Sequence, residues 1–469
     1  LYTGYFNNDP DIRMIFPMSD GDNYTENVYH ICPKCMSRRI NGGSDKCSNC
    51  GHEGVIKAYV PNLTPSTVKR GATNGYNCPC CGNTSGLSLI GVQSTTLISA
   101  GISEIFASKF NDDKKLLTFS DSVQDASHKT GFFNARTWKF NLREAMQKFA
   151  LDGGEGLSIK DFASKFNEYW INKMGLETYI STFISPDMTW KRAFEEMVST
   201  GVLDKEDEAV IKLVDDIRKR VEIEIYYEYG FSSRVGRSLE KSSASTIAPN
   251  IDVFEKVTDN IYERVINEVG EVRNISKDDM KQIVYGVILK LKNSGAIYKD
   301  AIREYIYKEG NSYMISKKRY NWMPGMSIVR KPQFVNINAS KISNDYDVIS
   351  KNSWYYKWME KSLRASKDIG TLLMRLDMPI DVYNIMFEEL EKSSVLFKAE
   401  SHKKNKMIGL NDTAINIDND TEQLKCSHCG HTISTSKKYS KYSIGMRCMR
   451  NECSGSYEFF RDDLDFYGK

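Results

Sequence analysis

The chain has no apolar run of the about 18–20 residues needed to cross a bilayer, so no transmembrane helix and no membrane partner are expected. It has no G-x4-G-K-[ST] loop; the only Gly-Lys pair is Gly468-Lys469. Without that loop the β- and γ-phosphates of a nucleotide have no cradle, so this chain alone is not expected to hydrolyse ATP. It has little net charge: 64 Lys and Arg against 61 Asp and Glu leave +3. Such a balance does not indicate nucleic acid by itself, and only local basic clusters could provide contacts. The first residues, Leu1-Tyr2-Thr3, include neither an initiator Met nor a basic-then-apolar leader. The chain therefore reads as an internal piece of something longer rather than a secreted precursor. There is also no cysteine between positions 81 and 426.

The 469 residues suggest about two to four domains. Hydrophobic residues at 41% and charged residues at 27% are ordinary for a soluble globular chain. The eleven cysteines are more informative. They fall at 32, 35, 47, 50, 78, 80, 81, 426, 429, 448 and 453. An odd number in tight pairs is a poor disulfide framework for a long chain, and points to a reducing, cytoplasmic setting.

Cys32, Cys35, Cys47 and Cys50 read C-x2-C-x11-C-x2-C. Each C-x2-C turn aims two thiolates at one metal, and two such knuckles complete a tetrahedron. A closed four-cysteine site leaves no open position, so its expected role is structural zinc binding. Cys426, Cys429, Cys448 and Cys453 give C-x2-C-x18-C-x4-C, a second ribbon with a looser final spacing. His428 and His431 lie close enough to substitute as ligands, but using both would orphan a cysteine, so four thiolates are favoured. Cys78, Cys80 and Cys81 make half a site. They form a degenerate knuckle packed on the first ribbon, recruit His30 or His52, or are buried free thiols. The expected cofactor is zinc, at two structural sites.

Between the ribbons the pattern turns helical. Leu116 to Phe119 reads as a short strand, Ser120-Asp121-Ser122 as a polar turn, and a helix follows from about Val123. Such a turn can present hydroxyls and backbone N–H groups to a phosphate. From about 139 to 420 the chain reads mostly as helix. Val210, Val214, Ile217, Val221 and Ile225 form one apolar stripe, and Val253, Val257, Ile261, Val265 and Val269 another. Ser276-x-x-Asp279 is a capping box opening a helix that ends at Asn293-Ser294-Gly295. A helix near Ala301–Tyr307 and an extended piece at 312–315 follow. Together they suit a winged-helix-like module or an ordinary helical hairpin.

Two patches combine features that suit nucleic acid. The segment 229–241 carries Arg234, Arg237 and Lys241 among glycines and hydroxyls. The segment 320–332 places Tyr320 and Trp322 near Arg330 and Lys331. Aromatic rings stack bases and cations meet phosphates; the alternative is surface charge around a packed Trp.

The stretch Leu116-Leu117-Thr118-Phe119-Ser120-Asp121-Ser122-Val123-Gln124-Asp125-Ala126-Ser127-His128-Lys129-Thr130-Gly131-Phe132-Phe133, with Ala135-Arg136-Thr137 and Phe140-Asn141-Leu142-Arg143, resembles a known pattern. It is similar to the opening of the second RecA-like domain, around motif IV, in large bacterial superfamily 2 DEAD/DEAH-box helicases. These include the very long helicases of anti-phage defence islands and, more distantly, zinc-containing DNA-repair helicases of the MrfA type. Many relatives read FSDSRQDA here; Val123 stands where they have Arg and offers no charge to a phosphate. The 236–241 patch, the 289–297 helix end, Trp322-Met323-Pro324 and the C-terminal four-cysteine cluster also look like family landmarks. The resemblance covers roughly residues 30–469, with only the motif IV segment specific.

The resemblance implies a parent protein that translocates on or unwinds nucleic acid, DNA rather than RNA, powered by ATP and Mg held by motor domains outside this chain. Ser120, Asp121, Ser122 and Gln124 would touch the nucleic-acid backbone or motor cleft, with Arg234, Arg237, Lys241 and Arg330 extending the track. Asp207-Glu208-Ala209-Val210 opens an amphipathic helix and is not a Walker B acid. The expected fold class is mixed and predominantly α. Its segments are a zinc-ribbon region at 1–95, the start of the second RecA-like domain at 96–150, a helical insertion at 151–275, a winged-helix-like module at 276–345, a helical segment at 346–420 and a zinc ribbon at 421–469. The remaining helicase domains of the parent are expected partners. Two other readings stand beside this one: a non-catalytic zinc-ribbon nucleic-acid adaptor, and a protein-interaction scaffold.

Overall fold

The computed structural model describes residues 16–18, 28–35, 37–39, 45–59, 123–230, 238–272, 275–325, 331–339, 341–365 and 378–460. The chain divides into two compact units, 1–116 and 117–469. In the first, four short strands form an antiparallel sheet in the order β1-β4-β2-β3: β1 (Phe16–Pro17), β2 (Val28–Ile31), β3 (Arg38–Arg39) and β4 (Ile56–Tyr59). Cys32 follows directly on β2, so the strand leads the chain into the first knuckle.

The second unit is mainly helical with small sheets. Its helix α1 (Val123–Phe149) begins where the sequence placed it. The strand expected before it, Leu116 to Phe119, lies outside the described residues. A kinked turn leads to α2 (Ile159–Met174), where the Ser158 hydroxyl accepts from Asp161 N at 3.1 Å and donates to Asp161 Oδ2 at 2.8 Å. Ile159, Phe162, Ala163, Phe166 and Trp170 follow the helical period and are buried. Next come α3 (Leu176–Phe183), α4 (Arg192–Thr200) and the long α5 (Glu208–Gly230). The whole Val210-to-Ile225 stripe is buried. The rings of Phe149, Phe162, Phe166 and Phe183 meet edge to face and tilted, with centroids 4.8–6.4 Å apart.

Strand β5 (Thr246–Pro249) precedes α6 (Ile251–Glu268), whose Asn250 cap accepts from Asp252 N and Val253 N. The second stripe holds except at Val253, which is exposed; Phe254, one residue on, takes the buried position in that first turn. Helix α7 (Lys277–Asn293) starts on Ser276, which accepts from Asp279 N at 3.0 Å, and stops at Ser294, before Gly295. After α8 (Arg303–Tyr307), residues Ser312–Ile315 form a 3-10 turn rather than the extended piece expected. The Asn311 carboxamide accepts from Tyr313 N at 3.0 Å and winds the turn.

Strands β6 (Val335–Asn336) and β7 (Asp347–Val348) precede α9 (Trp354–Ala365) and α10 (Met378–Lys392). Strands β8 (Leu396–Glu400) and β9 (Lys406–Leu410) complete a sheet in the order β7-β6-β9-β8, and β10 (Ile415–Asp418) pairs with β5. The segment 346–420, expected as helix, carries the short strands β7 to β10 as well as α9 and α10. Its apolar runs are short, and two of them find partners far away in sequence: β10 pairs with β5 and β9 with β6, which lies in 276–345. The unit ends in β11 (Thr421–Cys426), β12 (Thr432–Ser436), the single turn α11 (Ser440–Ser443) and β13 (Tyr457–Phe459), with β11 central.

Two close contacts organise this unit. The first is Gly286, in the middle of α7. A Cβ there would lie 2.2 Å from the buried Trp358 ring, whose indole N–H donates to Ile283 O at 3.3 Å. The second is a set of buried ion pairs linking α1 to α5. Arg143 pairs with Glu228 at 2.8 Å, Arg220 with Glu224 at 2.9 Å, and Lys139 also reaches Glu224. Arg220 further donates to Trp322 O at 3.2 Å. Trp322 is itself buried and stacked on Tyr320, so it packs in the core and is not free to stack a base.

Gly286→Ala should lower stability by about 1–3 kcal/mol in urea unfolding, since the clash with a fixed indole outweighs the ~1 kcal/mol that Ala gains over Gly in a helix. An unchanged or raised midpoint would show that the α7–α9 contact is looser than 2.2 Å implies.

Burial would raise the Glu224 carboxyl, but Lys139 and Arg220 hold it below its ordinary value of 4.5. A depressed carboxylate stabilises the fold above that value, and the effect is lost as pH falls through the lower folded value. Glu224→Gln should therefore flatten the decline in stability below about pH 4.5. It should also cost about 3–5 kcal/mol at pH 7, where the largely buried Lys139 loses its carboxylate and Arg220 keeps only Asp187, at 3.3 Å. Urea unfolding between neutral and acid pH measures both, and an unaltered acid limb would contradict the pairing.

Candidate metal centres

The first centre is built by two tight turns. Cys32 N donates to Ser37 O at 3.0 Å, which folds the 32–37 knuckle back on itself. Cys47 N donates to His52 O at 2.7 Å and Gly51 N to Cys47 O at 2.8 Å, closing the second knuckle. Gly51 has φ of 72°, a left-handed conformation that glycine adopts without strain. These turns bring the Cys32 and Cys50 sulfurs to 3.6 Å, and the Cys35 and Cys47 sulfurs also to 3.6 Å. Four thiolates around zinc at about 2.3 Å would stand about 3.8 Å apart, whereas a disulfide requires about 2.05 Å. The 3.6 Å spacings are too long for disulfides and suit four thiolates around a metal ion.

Ser37 was not singled out from the sequence, yet its hydroxyl lies 3.2 Å from Cys35 Sγ and 3.1 Å from Cys47 Sγ. It is the main reason that the Cys35 thiol sits low at about 5 and the Cys47 thiol at about 7. Cys50 moves the other way, to about 12: the His52 backbone favours its thiolate, but desolvation and the neighbouring sulfurs outweigh that. One thiolate among close sulfurs raises the next, and a divalent cation relieves that repulsion.

The second centre uses the β11–β12 turn and the loop before β13. Cys426 N donates to His431 O at 2.8 Å, and Gly430 N to Cys426 O at 3.1 Å. Cys448 N donates to Gly455 O at 2.9 Å, and Cys453 N to Arg450 O at 3.2 Å. The looser C-x4-C spacing thus still closes as a turn. Sulfur pairs Cys426–Cys453 and Cys429–Cys448 are each 3.6 Å apart. Arg450 N and Gly455 N point at Cys448 Sγ and Cys453 Sγ, at 3.5 and 3.4 Å. Gly455 is required by space: a Cβ would lie 2.7 Å from Cys426 Sγ. In each group the four sulfurs lie within 4.8 Å of one another, and either set could hold a metal ion.

His431 is not a ligand. Its Nδ1 is 2.7 Å from Tyr457 Oη, and burial holds the ring neutral, down at about 4, with Arg450 and Lys241 adding to the effect.

Sequence reasoning also missed Lys361. From α9 its ammonium donates to the carbonyls of Cys448, Arg450 and Cys453, the latter two at 2.8 and 3.3 Å. The indole of Trp354 on the same helix donates to Met449 O at 2.7 Å. One helix thus holds the whole second knuckle by its backbone and sets a lysine beside Cys426, Cys448 and Cys453. Nothing near Lys361 in sequence signals this role, because the knuckle is 87 residues away.

Among the other expected site residues, Ser120, Asp121, Ser122, Arg234, Arg237 and Arg330 lie outside the described residues, as do Cys78, Cys80 and Cys81. Gln124 falls in the first turn of α1. Lys241 is brought against the second ribbon: its carbonyl accepts from Gln423 Nε2 on β11 at 2.9 Å.

In comparisons of the chain with protein-family models, curated protein sequences and solved structures, no match was found. The two four-cysteine groups are thus read from their own geometry. Among the described residues, no helix is long and apolar enough to cross a membrane.

Lys361→Met should weaken metal retention at the second centre about 10- to 100-fold in chelator competition, leaving the first centre unchanged. Equal retention at both centres would show that the ammonium only packs. Metal analysis of the purified chain should find two zinc per molecule, and fewer than one would remove the metal reading altogether.

Proposed function

We propose that this chain is part of an ATP-dependent superfamily 2 helicase or translocase, acting on DNA rather than RNA in genome defence or DNA repair. Zinc fills both four-cysteine centres as a structural ion, since four thiolates leave it no open position for chemistry. Residues 96–150 are the start of the second RecA-like domain. Residues 276–345 form a winged-helix-like module built on helices α7 and α8. ATP and Mg act in the motor domains of the parent, and those domains and the nucleic acid are the partners.

The observation that carries this reading is the motif IV-like segment from Leu116 to Arg143, whose helix α1 begins at Val123, directly after Ser120-Asp121-Ser122. A helix N-terminus after two hydroxyls and a carboxylate suits a backbone contact in a motor cleft. A second feature supports nucleic-acid contact. The Lys241 carbonyl accepts from Gln423 Nε2 on β11 at 2.9 Å, which sets this lysine at the second ribbon.

Changing Arg234, Arg237 and Lys241 together to Ala tests this. Single-stranded DNA binding, followed by fluorescence anisotropy across a salt series, should weaken, and the log–log salt slope should fall by about 2, roughly 0.7 per lost phosphate contact. An unchanged slope would exclude the basic track. Walker A and B motifs in the flanking reading frame would separate a motor from a zinc-ribbon adaptor.

A further inference from the structure

The loop end of the α4–α5 hairpin carries a cluster of exposed apolar side chains unrelated to either metal centre. Trp190, Val198, Val202 and Ile211 are 60%, 65%, 69% and 56% exposed. Phe194 and Val198 are four apart on α4, Trp190 lies just ahead of the helix and Val202 follows its Gly201 cap, so the apolar residues run from one end of α4 to the other. Helix α4 buries Ala193 and Met197 against the core, Phe194 packs at its edge, and Trp190, Val198 and Val202 lie outside it. Gly201 ends the helix in a left-handed conformation, φ 67°. The chain then turns Leu203 inward and leaves Val202 outside. Ile211 sits on the first turn of α5, which packs on α4 through a short connection. Single exposed apolar residues are ordinary, but four within 22 residues on one hairpin are not scattered.

The charge around this stripe is one-sided. Between 190 and 211 the chain places Glu195, Glu196, Asp204, Glu206, Asp207 and Glu208 at the surface. The cations there are Lys191, Arg192 and Lys205, with the exposed Lys212 next to Ile211. Lys191 is committed to Asp216 at 2.6 Å, and Arg192 to Glu196 at 2.6 Å. An apolar strip with a carboxylate rim repels a phosphate backbone and an anionic bilayer. It complements a segment that offers apolar residues on one face and lysine or arginine on its flanks.

We infer that the α4–α5 hairpin is a docking surface for a basic amphipathic helix of a protein partner, separate from the nucleic-acid reading and independent of it. The apolar residues provide the contact area, and the acidic rim sets the sign and orientation of the partner.

The test uses the full chain and two synthetic 18-residue helical peptides, one of Leu and Lys and one of Leu and Glu. Calorimetry should show the Leu/Lys peptide binding and the Leu/Glu peptide not binding. Val198→Ser, Val202→Ser and Ile211→Ser together should weaken binding at least about tenfold, the equivalent of one well-buried apolar side chain. These positions are exposed, so the fold should be kept, and an unchanged thermal melt checks this. Glu206→Lys with Glu208→Lys should weaken binding at low salt and leave little effect at high salt. Equal binding of both peptides, or full binding by the triple variant, would overturn the proposal. So would sedimentation showing that the chain dimerises alone and that the triple variant is monomeric, because the occupant would then be a second copy.

Discussion

Eight cysteine sulfurs held in two close groups of four cannot all ionise unless a cation neutralises them. That requirement governs more of the molecule than the cysteines themselves. In the second centre, Cys426, Cys448 and Cys453 are buried in the same apolar cluster as Tyr439, Tyr442 and Met446. Tyr439 in turn stacks on Tyr285 of α7 with centroids 4.5 Å apart, and Phe254 of α6 meets it at 5.1 Å. The ribbon is therefore a wall of the helical body, and a metal ion held by its four cysteines would also set the position of that wall. Helix α9 completes the link, because it contacts α7 through Trp358 and the knuckle through Trp354 and Lys361.

The first centre is different in kind. It stands in its own compact unit on a small antiparallel sheet, and Cys50 is exposed. Its thiolates are stabilised by a neighbouring hydroxyl and by knuckle backbone, with no distant cation in evidence among the described residues. Both centres share the same four-sulfur chemistry, but only the second is built into a large core. A structural metal there acts on stability over a long range, whereas in the first it acts on a local fold.

The buried charges of α5 follow the same logic without a metal. A helix that buries Asp216, Arg220, Glu224 and Glu228 must bring every charge a partner. Lys191, Lys139 and Arg143 supply them from neighbouring elements. These pairs define where α1 and α4 sit against α5, which apolar packing alone would leave free to slide.

The amino-acid sequence by itself determined what depends on neighbours along the chain. The knuckles, the caps at Ser276 and the helix start at Val123 were legible because each needs only residues a few positions apart. The Val210-to-Ile225 stripe was legible because helical periodicity is local. The tertiary structure alone decided the rest. Strand β6 exists because β9, 70 residues on, offers it a partner; Trp322 is core rather than platform because Arg220 holds its carbonyl. Lys361 became part of a metal centre because α9 packs there. In each case the deciding contact joins residues that chain spacing does not relate, so its energy exists only once the fold has formed.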